Sequence, residues 1–216
     1  MEAEVRPVIT ADGSLTLFHE QLGAHYHSVH GALQESMHIF IRNGFEQLQH
    51  LHEINVLEMG FGTGLNAWLT AKKKPDLQVI NYTSLDTYKL QPEVISELKK
   101  SYMGNDIFEK IHSANWNEAT PVTSRFTLTK KLISLTEYTP DTNFHLCYFD
   151  AFSPEIQPEL WTSDIFDKIY RCMYPGGLLL TYCAKGEVKR ALRSCGFTVQ
   201  RLPGPPGKRH IIRAVK

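Results

Sequence analysis

Residues 54–66 read Ile54-Asn55-Val56-Leu57-Glu58-Met59-Gly60-Phe61-Gly62-Thr63-Gly64-Leu65-Asn66. The run Ile54–Met59 has the character of a buried strand. It ends in three glycines at alternate positions, and a helical pattern over Leu65–Lys73 starts directly behind them. A strand, a glycine turn and a helix in this order open a βαβ unit. Glycines allow the tight turn and let backbone N–H groups approach a ligand closely. Dinucleotide sites space them G-x-G-x-x-G, because a pyrophosphate sits on the helix start. Here the spacing is G-x-G-x-G, with Glu58 two residues before the first glycine. That suits a ligand with an amino-acid end, whose ammonium a carboxylate can meet directly or through water. It disfavours NAD. Glu58, Gly60, Phe61, Gly62, Thr63 and Gly64 are therefore the expected ligand contacts.

The alternation continues outward. Val79–Leu85 reads as a second strand and Pro92–Tyr102 as a helix with proline in its first turn. Phe126–Leu132 and Leu146–Phe149 read as strands, and Ser163–Met173 as a helix with Ser163 as N-cap. Pro175-Gly176-Gly177 is expected to end that helix and launch the strand Leu178–Tyr182. A helix near Glu187–Ser194 follows. The strands Thr198–Leu202 and His210–Val215, joined by Pro203-Gly204-Pro205-Pro206-Gly207, should form a hairpin and add an antiparallel strand. The fold class is thus α/β with a mainly parallel sheet covered on both faces. Upstream, Ala11-Asp12-Gly13-Ser14 reads as a hairpin turn. Apolar residues then recur at helical intervals from Gly31 to about Leu51, interrupted at Asn43-Gly44. Residues 1–52 are expected to cover a core over residues 53–216, the whole chain being one domain.

Two further acids end strands, where open parallel sheets gather their ligands. Asp86 lies 22 residues beyond Gly64 and is suited to accept hydrogen bonds from two ribose hydroxyls. Asp150, in Asp150-Ala151-Phe152-Ser153-Pro154, is suited to orient an amine and take its proton. Each also has a plainer structural reading, as an ordinary strand-end or turn-capping carboxylate.

With 216 residues, 42% of them hydrophobic and 21% charged, the chain can bury a core without disulfide staples. Cys147, Cys172, Cys183 and Cys195 show neither metal-ligand spacing nor a disulfide framework, so no metal site is expected and a reducing, cytoplasmic setting is the simpler reading. No secretory leader or membrane-length apolar run is visible. Net charge is zero, but it is unevenly spread. Residues 185–216 hold nine Lys and Arg against Glu187 alone, giving +8 there and −8 upstream. Such a basic end suits an anionic partner.

These motifs together resemble the S-adenosylmethionine (SAM)-dependent methyltransferases, with their acid-and-glycine loop, ribose acid, D-x-x-x-P-type loop and Pro-Gly-Gly turn. More narrowly, the chain is similar to the methyltransferase part of the bifunctional enzymes of tRNA 5-methylaminomethyl-2-thiouridine biosynthesis. The matching pieces are Tyr26-His27-Ser28, Gly31-Ala32-Leu33-Gln34-Glu35-Ser36, the glycine loop with Leu65-Asn66, Asp150–Pro154, Pro158-Glu159-Leu160-Trp161-Thr162 and Lys208-Arg209. The resemblance implies a Rossmann-like fold, SAM as cofactor (Asn66 and Asp150 joining its contacts), and tRNA as partner. The acceptor would be the aminomethyl group of a modified wobble uridine, supplied by another enzyme, because no oxidase part is recognisable. Asp150 would receive the amine's proton. Gln34, Glu35 and Ser36 would complete the pocket wall, Trp116, Phe152 and Trp161 would stack on a flipped-out base, and Lys208 and Arg209 would meet the tRNA backbone. The chain departs from the family in two places. Lys130-Lys131 stands where a Gly-Asp pair usually contacts adenine, and Asp86 stands for a ribose Glu. A small-molecule amine methyltransferase and a non-catalytic SAM-fold binding module are the rival readings.

Overall fold

The computed structural model describes residues 4–101 and 106–216. The N-terminal segment forms a small antiparallel sheet of β1 (Val5–Ile9), β2 (Leu15–His19) and β3 (Ala24–His25). The expected hairpin turn is present, with Gly13 at φ 80°. Asp12 ties this turn to the next element: its Oδ1 accepts from Ser14 N at 3.0 Å, and its Oδ2 accepts from Gln34 N at 2.9 Å, within the first turn of α1 (Ala32–Ser36). That helix widens into a π-helical stretch over Met37–Arg42, breaks at Asn43-Gly44 as the sequence suggests, and resumes as a 3₁₀ turn over Phe45–Leu48. At Gly44 a Cβ would stand 2.5 Å from the Phe40 carbonyl oxygen, so a side chain is excluded there.

The main sheet contains β4 (Glu53–Met59), β5 (Val79–Asp86), β6 (Ala119–Thr123), β7 (Phe126–Leu132), β8 (Phe144–Phe149), β9 (Met173–Thr181), β10 (Thr198–Pro203) and β11 (His210–Val215). Their spatial order is β10-β11-β9-β8-β4-β5-β7-β6. β4 pairs in parallel with both β5 and β8, and the parallel set extends to β7 and β9. β11 adds antiparallel to β9 and carries β10 at the edge, as the Pro-Gly hairpin predicts. Helices α2 (Leu65–Lys73), α3 (Pro92–Ser101), α4 (Asp106–Ser113), α5 (Ser163–Arg171) and α6 (Gly186–Ser194) cover the faces. The central strands are buried on both sides, so neighbours in sequence serve opposite cores. Tyr148 packs with Phe40, Trp68 and Tyr82, whereas Phe149 packs with Trp161, Phe166 and Leu179. No helix among the described residues is long and apolar enough to cross a membrane.

Several expectations are corrected. α4 and β6 have no counterpart in the sequence reading. β6 contains Pro121 and buries only Val122, which an edge strand tolerates but which hides it from pattern reading. Pro175-Gly176-Gly177 does not precede β9 but lies inside it. Pairing runs from Phe144 with Met173 to Leu146 with Leu178, so residues 174–177 bulge opposite His145. The N-cap of α5 is Thr162, whose Oγ1 accepts from Ile165 N at 3.4 Å. Tyr102, the expected end of α3, lies outside the described residues.

Candidate active site

The chain leaves β4 toward β5 on one side and later returns to β8 on the other. The carboxyl ends of β4, β5 and β8 therefore frame a switch-point crevice. Backbone bonds lock its rim: Gly60 N donates to Leu85 O at 3.0 Å, and Asp150 N to Met59 O at 3.1 Å. Gly60, at φ 87°, passes so close to β8 that a Cβ would stand 2.8 Å from the Asp150 carbonyl oxygen. Gly62, at φ 50°, lies under Tyr26, whose ring would be 2.9 Å from a Cβ. The N-terminal cover thus presses on the glycine loop through one tyrosine. Between them is a cavity of about 630 Å³, within the range typical of small-molecule sites.

On the β5 side, Asp86 Oδ2 accepts from Gly62 N at 2.9 Å, while Oδ1 accepts from Thr87 N at 2.7 Å and Tyr88 N at 3.0 Å. Burial raises the pKa of this carboxyl above the usual Asp range, and those N–H donors oppose the shift. Backbone N–H groups of the protein thus fix the orientation of this carboxylate at the cavity wall.

On the β8 side, Asp150 Oδ2 accepts from Asn66 Nδ2 at 2.9 Å. Burial pushes Asp150 up to about 7. The nearby Glu35 charge adds to this, and the Asn66 bond and Lys208 oppose it. Glu35 itself is 7% exposed. Its Oε2 accepts from Ser28 N at 2.7 Å, and its Oε1 pairs with Lys208 Nζ at 2.8 Å. Lys208 Nζ also lies 5.2 Å from the centre of the Tyr182 ring, whose hydroxyl donates to Ala151 O at 2.9 Å. Two carboxylates, one ammonium and aromatic faces thus share one end of the cavity.

Of the residues expected from the sequence, Gly60, Phe61, Gly62, Asn66, Asp86, Asp150, Glu35, Phe152 and Lys208 all line this cavity. The others do not. Glu58 is fully buried beneath the loop, where Oε2 accepts from Ser84 Oγ at 2.6 Å. Its Oε1 has no hydrogen-bond partner among the described residues, and burial pushes it up to about 8. Thr63 is buried and its carbonyl faces His112 Nε2 at 3.1 Å, and Gly64 at φ 71° starts α2. Gln34 is exposed and Ser36 fully buried on either side of Glu35, because only one residue of a helical turn can face the site. Trp116 packs edge-on against Phe61 at 5.7 Å. Trp161 sits in the lower core, where its Nε1 donates to Phe152 O at 2.8 Å and so braces the loop that carries Phe152. Arg209 is exposed, next to Lys208.

Lys130, the departure at the third parallel strand, is 2% exposed and turned into the core. Its Nζ donates to His112 O at 3.1 Å and lies 5.2 Å from both the Phe61 and Trp116 rings. The cavity wall there comes instead from Ile133, Ser134 and Leu135, just past β7. These three and Tyr182 are lining residues that the sequence reading did not name, and Tyr26 and His27, which line it too, were named there only as family-matching positions with no place in the site. Tyr182 was findable, since it follows a parallel strand at its carboxyl end. His27 was not, because its position depends on how the cover folds back.

The arrangement defines a class. A family model described as S-adenosyl-L-methionine-dependent methyltransferase matches residues 93–216, and the chain belongs to that family. The glycine cradle, where a Cβ at Gly60 or Gly62 would collide with its surroundings, and the strand-end carboxylate of Asp86 at the cavity wall fit SAM, its cofactor. Among curated proteins it is 31% identical, over 92% of its length, to the tRNA 5-methylaminomethyl-2-thiouridine biosynthesis bifunctional protein MnmC of Paracidovorax citrulli, and 30% identical over 87% to that of Azoarcus sp.. It spans about a third of the length of these relatives, 34% and 32%. Its structure is similar to that of MNMC2 from Aquifex aeolicus, with a TM-score of 0.78 and 26% identity over 99% of this chain and 71% of that one. It shares only the fold with spermidine synthase from Thermotoga maritima, at a TM-score of 0.63 and 13% identity, covering 100% and 70%.

Proposed function

We propose that this protein transfers a methyl group from SAM to the aminomethyl nitrogen of a modified wobble uridine in tRNA. The observation that carries this reading is the pairing of Asp150 with Glu35 at one end of the glycine-loop cavity, on the other side of β4 from Asp86. An aliphatic amine has a reference value of about 10 and arrives protonated at neutral pH. A buried carboxylate holds such an ammonium, and a second one poised near neutrality takes its proton. Glu35 is suited to the first task and Asp150, raised to about 7, to the second.

Bound SAM supplies an electrophilic methyl on a sulfonium. Asp86 and the backbone around Gly60 and Gly62 would hold its nucleoside and amino-acid ends. Asp150 would take a proton from the acceptor ammonium and so free the nitrogen lone pair that methyl transfer requires. Phe152 and Tyr26, 5.1 Å apart and edge to face, form an aromatic wall suited to a flipped-out base. Two residues past Lys208, His210 lies in the field of Arg201, Arg209 and Lys189, and its imidazole is lowered by desolvation and then by these charges. That basic surface supports a polyanionic substrate over a free small amine. The names of the relatives support the same substrate.

The test is incubation with methyl-labelled SAM and bulk tRNA lacking the final methyl group, followed by nucleoside analysis. Label in the methylaminomethyl nucleoside is expected. Label absent from tRNA but present in a free amine would move the assignment to the small-molecule reading.

A further inference from the structure

We propose that Lys208 is a built-in occupant of the amine subsite, its ammonium standing where the substrate's ammonium is to bind. The inference rests on the reading of the acceptor as an aliphatic ammonium, and it adds a definite subsite and a reason for preferring tRNA. A lysine head and an aminomethyl group are the same chemical object, a primary ammonium on a methylene. The Lys208 head is held as such a group would be. Glu35 Oε1 is 2.8 Å away, the face of Tyr182 is 5.2 Å away, and the field of Lys208 reaches Asp150. A cation within about 6 Å of an aromatic centre is attracted by the ring face. All four side chains line the same cavity.

Glu35 needs a cation at all times. It is more than nine-tenths buried, and an unpaired buried carboxylate is strongly unfavourable. The other basic group beside it, His27, is pushed down to about 4 by burial, with Lys208 adding to the effect, so it stays neutral. Lys208 therefore serves while the subsite lacks substrate, and the substrate ammonium serves when it enters. The exchange conserves charge around Glu35 and needs no backbone movement, because the Lys208 side chain is 27% exposed and has four rotatable bonds. The displaced head has a destination close by. Lys208 sits at the end of the β10–β11 turn beside exposed Arg209, on the basic surface. A phosphate that meets this turn draws Lys208 away from Glu35 as the nucleoside arrives. A free nucleoside has no phosphate backbone and must displace Lys208 unaided.

The test separates the subsite from the tRNA reading. Propylammonium chloride is titrated into the wild-type protein, Lys208→Met and the double variant Lys208→Met/Glu35→Gln, with binding followed by NMR. We expect Lys208→Met to bind propylammonium at least about tenfold tighter than wild type, and the double variant to lose that gain. Equal affinity in wild type and Lys208→Met overturns the proposal. If Lys208→Met does not fold, the wild-type protein with ¹⁵N-lysine decides. Saturating propylammonium should shift the Lys208 ammonium signal to that of a free lysine, and an unmoved signal overturns the proposal. In activity, Lys208→Met should narrow the preference in kcat/KM for tRNA over free 5-aminomethyluridine. A loss confined to tRNA would make Lys208 a phosphate contact only. Failure of the wild type to methylate tRNA would count against the proposed function and leave the propylammonium result to stand or fall by itself.

Discussion

Replacing Asp150 by Asn should make the protein more stable and far less active. The carboxyl is displaced by burial from 3.8 to about 7. The folded protein then holds that proton more tightly than the unfolded chain between these two values. Stability therefore falls as pH rises from about 4 through 7, and above 7 the native state carries the whole cost of the buried charge. At about 1.36 kcal/mol per pH unit, that cost has a ceiling on the order of 4 kcal/mol. Asn has the same shape, and its carbonyl oxygen can still accept from Asn66 Nδ2, now at 2.9 Å from Asp150. Thermal unfolding at pH 8 should rise by at least about 1 kcal/mol, or roughly 2–4 °C for a chain of this size, and the gain should vanish near pH 4. Single-turnover methyl transfer should drop about 10²–10⁴-fold, as for loss of a general base. The wild-type rate should climb through about pH 7 as Asp150 ionises. The variant should lack that inflection, and its deficit should narrow toward pH 10 as more amine arrives neutral. SAM affinity should change much less. Near-normal turnover would refute the base role. A stability profile parallel to wild type from pH 4 to 8 would refute the raised acid.

Other outcomes follow from the same geometry. Glu58→Gln should flatten the decline in stability that the wild type shows as pH rises from 4.5 through about 8, read as urea midpoints at pH 5 and pH 8.5, with Ser84 keeping its acceptor. Gly62→Ala forces a side chain into the left-handed region under Tyr26. It should cost about 1–2 kcal/mol of strain and weaken SAM binding by roughly tenfold in calorimetric titration. Arg201→Ala with Arg209→Ala should weaken tRNA binding and lower the slope of log K against log salt by about one for each phosphate left unneutralised, leaving SAM affinity unchanged.

The legible parts of this protein are those in which one short stretch contains the whole physical reason. The glycine loop declares itself because strand, turn and helix are contiguous. Asp86 and Asp150 follow from the rule that ligands gather at the carboxyl ends of parallel strands. What escaped the reading depends on chain segments far apart in sequence. Glu35 was expected together with Gln34 and Ser36, but one short helix offers the cavity a single side chain, and which one is settled by Asp12 fastening the first turn of α1. Trp161 was expected to touch substrate, yet its indole is spent on Phe152 O, so that it positions an aromatic rather than serving as one. β6 escaped because an edge strand with proline has neither alternation nor an apolar run.

Lys130 shows how a departure from a family pattern gains meaning only in three dimensions. In sequence, Lys130-Lys131 replaces an expected polar contact at the adenine end, which reads as a weakness of the site. In the structure, β7 alternates so that Lys130 turns inward, under the ring of Phe61 from the glycine loop and that of Trp116. Burial, with help from the charge of Lys89, pulls this lysine down to about 8. The Phe61 backbone is held in turn by Leu85 O at 3.3 Å. The cation therefore braces the back of the loop, while Ile133, Ser134 and Leu135 form the cavity wall just past β7. At this end of the cavity the lysine ammonium thus lies behind the loop, and of the three wall side chains only that of Ser134 is polar.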